Sequence, residues 1–336
     1  MCQSSNLFEK INKMSKIITE AIEPFGLSSK DKRKSLFSKI GVVGAGKDGR
    51  NIIRLTSSAG LEVIFIEMSQ ERIGFALERI SEGLDSRIEN WGLTPSEKKS
   101  ILGRIKGSTD YSDLKDCDFV IECIRYDNET GERSIDLRKE AFKEMEKVVS
   151  PEAIIATNAT TVIISELASA LKYKERCVSL HFPIAHTEAK ILEVVRSIYT
   201  SEEVYNKVLL FAKLIKYDKI EVHESNGLVG MRLMAVLLNE ACQMVLENVS
   251  AMEDIDRLTE VVYGMRNGIF KMADIIGIEK IVPLMEDMFN EYGDKKYKPS
   301  PLLWHLYRTQ QLGTRTGKGF FNYENEKIVG LNPSFK

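Results

Sequence analysis

A histidine, His181, closes the short apolar run CVSLH, and an acid, Glu193, lies twelve residues on within a second such run, KILEVV. Two adjacent strands joined by the intervening loop can set that carboxylate against the imidazole. The pair suits reversible oxidation of an alcohol: the imidazole takes the hydroxyl proton as hydride leaves the carbon, while the carboxylate fixes the ring tautomer and stabilises the imidazolium. Taken alone, a His and a Glu at this spacing are more often structural.

A second constellation supplies context. Gly44, Gly46 and Gly49 form G-x-G-x-x-G directly after the strand-like KIGVV and before a helical stretch. The first glycine permits the tight turn, the second lets backbone approach a pyrophosphate, the third lets helix and strand pack closely, and the helix N-terminus offers N–H donors to phosphate. Glu67 closes the next strand, LEVIFIE, 23 residues after Gly44, where an acid can hold both ribose hydroxyls and repel a 2′-phosphate. The expected cofactor is therefore NAD rather than NADP. Asp48 puts a negative side chain at the phosphate-binding helix terminus, flanked by Lys47 and Arg50, which are expected to offset it.

These residues need elements to position them. Short β-rich runs at 40–43, 61–66, 119–124, 153–156 and 177–180 alternate with helical stretches, the pattern of an α/β doubly wound domain whose sheet is buried on both faces. A long helical pair, 71–90 and 95–104, separates the second and third runs. Two more strands, 191–195 and 220–222, flank a helix beginning near Ser201. From Gly227 helical periodicity dominates, with Val229, Leu233, Val236, Leu237 and Met244 on one face of a long helix. At the other end, Leu7, Ile11, Met14, Ile18 and Ile22 mark an amphipathic helix before the polar linker SSKDKRK. The expected organisation is a helical extension and linker over 1–35, a Rossmann-like domain over 36–223 and a helical domain over 224–336.

Composition narrows the function classes. The 336 residues suffice for two domains, and 47 Lys and Arg against 49 Asp and Glu leave a formal charge of −2, with no global field for nucleic acid or an anionic membrane. Any anionic ligand must be held locally. Five cysteines, odd in number and without a C-x-x-C pair, suit reduced thiols and a cytoplasmic setting, and no uninterrupted apolar run is long enough to suggest a membrane span. The four histidines show no metal-ligand spacing; His186 is a second pocket candidate, while His223 and His305 read as structural or exposed.

Over about residues 38–324 the chain resembles the L-3-hydroxyacyl-CoA dehydrogenase family, short-chain 3-hydroxybutyryl-CoA dehydrogenases included. The resemblance rests on GAGKDG at the nucleotide turn, VIEC at 120–123, NATTV at 158–162, HFPIA with KILE at 181–193, GMRNGIFKMADIIGI from Gly264 and the closing GTRTGKGFFNY. It implies that His181 is the catalytic base, Glu193 its orienting acid and Thr160 the counterpart of a substrate-binding serine, with Asn158 beside the cofactor. It further implies an acyl-CoA thioester substrate, most simply a short-chain (S)-3-hydroxyacyl-CoA, and a homodimer formed by the helical domain. The chain departs from the family pattern around the substrate. Met231 stands where the family has an Asn, Asn226 replaces a proline, Ile184 and Ala185 replace Asn-Pro, and Glu89, Asn90 and Trp91 stand where a basic residue near the CoA phosphates is expected, with only Arg87 close by. Those departures leave three readings: the family reaction, the same chemistry on a carrier-protein-bound acyl group or free hydroxy acid, and a non-catalytic homologue.

Overall fold

The computed structural model describes residues 36–90, 92–124, 134–182, 190–325 and 327–335. The helix expected over 7–22 lies outside these residues, as do Trp91, most of the loop after Ile124, Ile184 and His186.

The seven strand-like runs all form, and an eighth strand joins them. In chain order they are β1 (Lys39–Val43), β2 (Glu62–Ile66), β3 (Ile105–Ser108), β4 (Phe119–Glu122), β5 (Ile154–Thr157), β6 (Cys177–His181), β7 (Ile191–Arg196) and β8 (Asp218–His223), arranged 3-2-1-4-5-6-7-8 in one sheet. Every pairing is parallel except β6 with β7. Burial on both faces explains the continuous apolar runs. Ile40 and Val42 pack with Phe65, Phe119 and Phe211 on one side, whereas Val43 joins Ile64, Val120, Phe142 and Met145 on the other. The edge strand β3 was not expected, because Ile105-Lys-Gly-Ser is half polar and carries no apolar run.

Helices α1 (Lys47–Ser58), α2 (Gln70–Glu89), α3 (Pro95–Leu102), α4 (Ile135–Val148), α5 (Ile164–Ala168) and α6 (Glu202–Leu214) accompany the sheet. The expected helical pair is α2 and α3; Ser69 caps the first, and Thr94 with Glu97 forms a capping box on the second. Beyond β8 come α7 (Leu228–Leu246), α8 (Met252–Val261), α9 (Ile269–Ile276), α10 (Ile278–Tyr292) and α11 (Pro301–Arg308), then a hairpin of β9 (Phe321–Glu324) and β10 (Lys327–Leu331) that apolar periodicity did not reveal. Asp274 ties this end together. Its carboxylate is buried and accepts bonds from Phe320 N, Phe321 N and the Tyr323 hydroxyl at 2.9, 3.0 and 2.9 Å.

The long helix α7 is apolar on both sides. Met234, Ala235, Leu238, Ala241 and Cys242 face the helical core and Met231 the cleft, while Val229, Leu233, Val236 and Leu237 of the periodic stripe lie outward, Leu233 and Leu237 being 63% and 53% exposed, and Met244 packs against the core. The periodicity is present, but the core takes the opposite face. α7 has the length and mean hydropathy (1.3) of a candidate membrane span. Arg232 and Glu240 interrupt it, and its first turn is bound into the site described next.

Candidate active site

The sheet order reverses at β1, whose neighbours β2 and β4 run to opposite sides, so the crevice beyond the strand C-termini at this point is where an open α/β sheet binds ligands. Gly44 follows β1 at φ +93°, a left-handed turn in which a Cβ would lie 3.3 Å from Cys123 backbone. Gly49 packs α1 so closely on the turn that a Cβ would come within 2.0 Å of the Gly44 carbonyl oxygen. Gly46 faces open space. The start of α1 has no side-chain cap, leaving its N–H groups for an anion. Glu67 ends beside this turn; its Oε1 accepts from Ala45 N at 2.6 Å, so the acid expected to hold ribose also braces the glycine turn, and Arg72 lies 3.9 Å from its other oxygen.

The charges of Lys47 and Arg50 act on Asp48 as expected, and a third cation joins them. Arg50 turns back to the Ala45 carbonyl oxygen at 3.0 Å, and the ion pair of Asp48 comes from Lys280 on α10 at 3.4 Å, across the cleft. Burial, and next the nearby Lys280 charge, hold the Lys47 ammonium below its ordinary pKa.

The antiparallel register of β6 and β7 sets His181 directly opposite Glu193, and Nδ1 of the ring meets Glu193 Oε2 at 2.5 Å. The imidazole is mostly enclosed and the carboxylate buried. The other oxygen of Glu193 accepts from Val229 N at 3.0 Å and Gly230 N at 2.9 Å, the free donors of the first turn of α7. Burial by itself would raise the carboxyl pKa, but the bond and charge of His181 and these two N–H donors outweigh it and hold the group below its ordinary value. An ionised Glu193 fixes the proton of His181 on Nδ1 and leaves Nε2 as the acceptor.

Thr160 and Asn158 stand on the loop after β5. Beneath it lies a buried network absent from the sequence reading: Arg138 on α4 donates to both oxygens of Glu122 at 3.0 and 2.8 Å, and the Thr157 hydroxyl donates to Glu122 at 2.6 Å and accepts from Ala159 N at 3.0 Å. Its only sequence signal is an acid ending the apolar strand FVIE. The loop is also fastened to the helical domain. Gly227 N donates to the Thr160 carbonyl, Asn226 Nδ2 to the Thr161 carbonyl at 3.1 Å, and the Thr161 hydroxyl to Asp287 at 2.8 Å. Asn226, the residue in place of a proline, thus supplies a tether that proline lacks.

One cleft of about 1430 Å³ joins these parts, lined by Asp48, Asn158, Thr160 and His181 on the sheet side and by Gly230 and Met231 on the other. Asn51 Nδ2 and Asn158 Oδ1 are buried without a hydrogen-bond partner among the described residues, and both residues line the cleft. A donor and an acceptor left open beside an uncapped helix terminus fit a dinucleotide's polar groups.

Residues 39–225 match the family model described as 3-hydroxyacyl-CoA dehydrogenase, NAD binding domain, and residues 227–323 match 3-hydroxyacyl-CoA dehydrogenase, C-terminal domain. The chain belongs to the 3-hydroxyacyl-CoA dehydrogenase family. A Deinococcus radiodurans relative is 31% identical over 285 residues, covering 85% of this chain and all of the relative. A Clostridioides difficile protein named 3-hydroxybutyryl-CoA dehydrogenase is 29% identical, covering 85% of this chain and 99% of its own. The crystal structure of (S)-3-hydroxybutyryl-CoA dehydrogenase PaaH1 from Ralstonia eutropha superposes with a TM-score of 0.77 at 29% identity, over 86% of this chain and 100% of that one. As a 3-hydroxyacyl-CoA dehydrogenase the chain is an NAD-dependent oxidoreductase with a Rossmann-type domain followed by a helical one.

Proposed function

We propose that the protein interconverts a short-chain (S)-3-hydroxyacyl-CoA and its 3-oxo form, with His181 as the acid–base residue. The observation that carries this reading is the buried Glu193, held between His181 Nδ1 and two backbone N–H groups at the inner wall of the cleft. Bound NAD supplies the hydride acceptor. In the oxidative direction His181 Nε2 takes the 3-hydroxyl proton, and in the reverse direction it returns a proton to the 3-oxygen. Glu193 orients the ring and stabilises its cation; it is a positioning residue. The Thr160 hydroxyl donates to the 3-oxygen, and the Gly44–Gly49 turn, Lys47, Glu67 and Asn158 hold the cofactor, with Lys280 keeping Asp48 neutralised. Met231 gives the pocket an apolar wall.

The homologous names support the short chain: relatives aligned along nearly their whole length are named for the hydroxybutyryl substrate. The exposed stripe of α7, continued by Leu258, Val261, Val262 and Tyr263 at 49–76% exposure, supports a homodimer in which a second copy covers that face. We place residues 36–223 in the cofactor domain, 224–336 in the helical domain, and the enzyme in the cytoplasm. The test is NADH oxidation with acetoacetyl-CoA. Saturable turnover is expected, and its absence from protein that binds NADH would overturn the reading.

A further inference from the structure

The residues 226–230 that lead into α7 touch both halves of the site. Val229 N and Gly230 N hold the Glu193 carboxylate, whereas Gly227 N donates to the Thr160 carbonyl at 2.9 Å and Asn226 Nδ2 to the Thr161 carbonyl at 3.1 Å. One short stretch of backbone therefore spaces the Thr160 loop from the carboxylate that orients His181. The stretch is not relaxed. Gly227 and Leu228 both lie in the left-handed region, at φ +82° and +49°, a conformation that a leucine keeps only where its surroundings impose it.

The surroundings that impose it come from α10. The Tyr292 hydroxyl donates to the Asn226 carbonyl at 2.9 Å, and Met288 packs so closely on Gly227 that a Cβ there would lie 2.2 Å from the sulfur. Asp287, next to Met288, reaches the loop itself and accepts from the Thr161 hydroxyl at 2.8 Å. One residue before Thr160, Ala159 N is held by the Thr157 hydroxyl, itself bonded to buried Glu122. Thr160 is thus flanked by two residues fixed from different elements, its own carbonyl is held by Gly227 N, and it lines the cleft with His181. A hydroxyl on so short a side chain takes its place from the backbone, and a misplacement of about 1 Å at a reacting group costs on the order of 10²-fold in rate.

We infer that Asp287, Thr161 and Asn226 are positioning residues of the reaction: through them α10 sets the reach of the Thr160 hydroxyl to the substrate 3-oxygen, while the same stretch of backbone holds Glu193 against His181. This rests on the reading of Thr160 as the donor to that oxygen. None of the three is among the residues lining the cleft, so they act through the backbone around Thr160.

The test compares wild type with Thr161→Val, which keeps the shape and removes the hydroxyl, with Asp287→Ala, and with Thr160→Val as the limit. The probe is the 3-oxygen itself. Calorimetric titration of NAD-saturated protein with acetoacetyl-CoA, and with butyryl-CoA, which lacks that oxygen, gives a ratio of Kd values. Wild type should favour acetoacetyl-CoA, and Thr160→Val should lose most of that preference. Thr161→Val and Asp287→Ala should lower it at least threefold while butyryl-CoA affinity holds. In NADH oxidation both variants should lose at least tenfold in kcat with NADH affinity retained, and Thr161→Ser, which keeps the hydroxyl, should restore kcat to within threefold of wild type. Added to Thr160→Val, Asp287→Ala should cost less than threefold more, because the group it positions is gone. Thr161→Val alone decides if Asp287→Ala does not fold. A lower melting temperature with an unmoved Kd ratio, an equal loss in both backgrounds, or a wild type that binds the two thioesters alike would overturn the inference. The two claims fail separately. A Kd ratio that responds to the substitutions in protein without NADH oxidation would support the positioning and remove the dehydrogenase reading; turnover that needs His181 but ignores Thr161→Val and Asp287→Ala would do the reverse.

Discussion

Replacing Glu193 with Gln probes the site most sharply, because the carboxylate has no spare oxygen. Oε2 meets His181 Nδ1, and Oε1 accepts from Val229 N and Gly230 N. A glutamine has one acceptor oxygen for these two places. If that oxygen keeps the two backbone donors, the amide NH₂ faces His181 and the ring must present Nδ1 as acceptor, which moves its proton to Nε2 and removes the base. If the oxygen turns to His181, the NH₂ points at two N–H groups and leaves buried donors unpaired, at about 1–3 kcal/mol. The first arrangement is the less costly, so turnover should drop by ~10²–10⁴-fold, the range for loss of a general base. NADH oxidation with acetoacetyl-CoA measures kcat, and NADH fluorescence measures cofactor binding, which should hold. A variant within threefold of wild type would refute the argument that Glu193 sets the tautomer.

The same carboxylate predicts a pH dependence of stability. Its pKa is depressed in the folded state, so its contribution is present above the ordinary value of 4.5 and is lost as pH falls through the folded value; the stability gap between wild type and Glu193→Gln should close below that pH in urea titrations. Asp274→Ala would strand Phe320 N, Phe321 N and the Tyr323 hydroxyl, and a loss of about 3 kcal/mol or more is expected in denaturant unfolding, with a loss under 1 kcal/mol contradicting its tying role. Wild-type protein should bind NADH more tightly than NADPH, and Glu67→Ala should narrow that gap, since it removes the carboxylate and frees Arg72, now 3.9 Å from it; an unaltered ratio of binding constants would count against Glu67 as the discriminator. Met231→Asn places an amide in a nearly buried position in the cleft wall, so acetoacetyl-CoA turnover should not rise; a tenfold increase would show that the site lacks a polar contact.

What the sequence made legible follows from how local each signal is. The β1–turn–α1 unit, the closing acid of β2 and the His181–Glu193 spacing are short-range patterns, and the structure puts His181 and Glu193 in contact through the antiparallel register of β6 and β7, which that spacing allowed but did not fix. Nothing local announces a partner on another element. Lys47 and Arg50 act on Asp48 as their places beside it imply, but its ion pair with Lys280 comes from 232 residues away. α7 shows a different limit. Apolar on both sides, it offered two candidate core faces, and packing against Phe270, Met285 and Met288 decided between them.

The central claim is that His181 moves the substrate proton. His181→Ala, assayed for NADH oxidation with acetoacetyl-CoA beside wild type and checked for NADH binding by fluorescence, tests it most directly. The structure predicts a fall in kcat of at least ~10²-fold with cofactor affinity retained, since the ring touches Glu193 and the cleft but not the glycine turn. Near wild-type turnover in that variant would contradict the assignment.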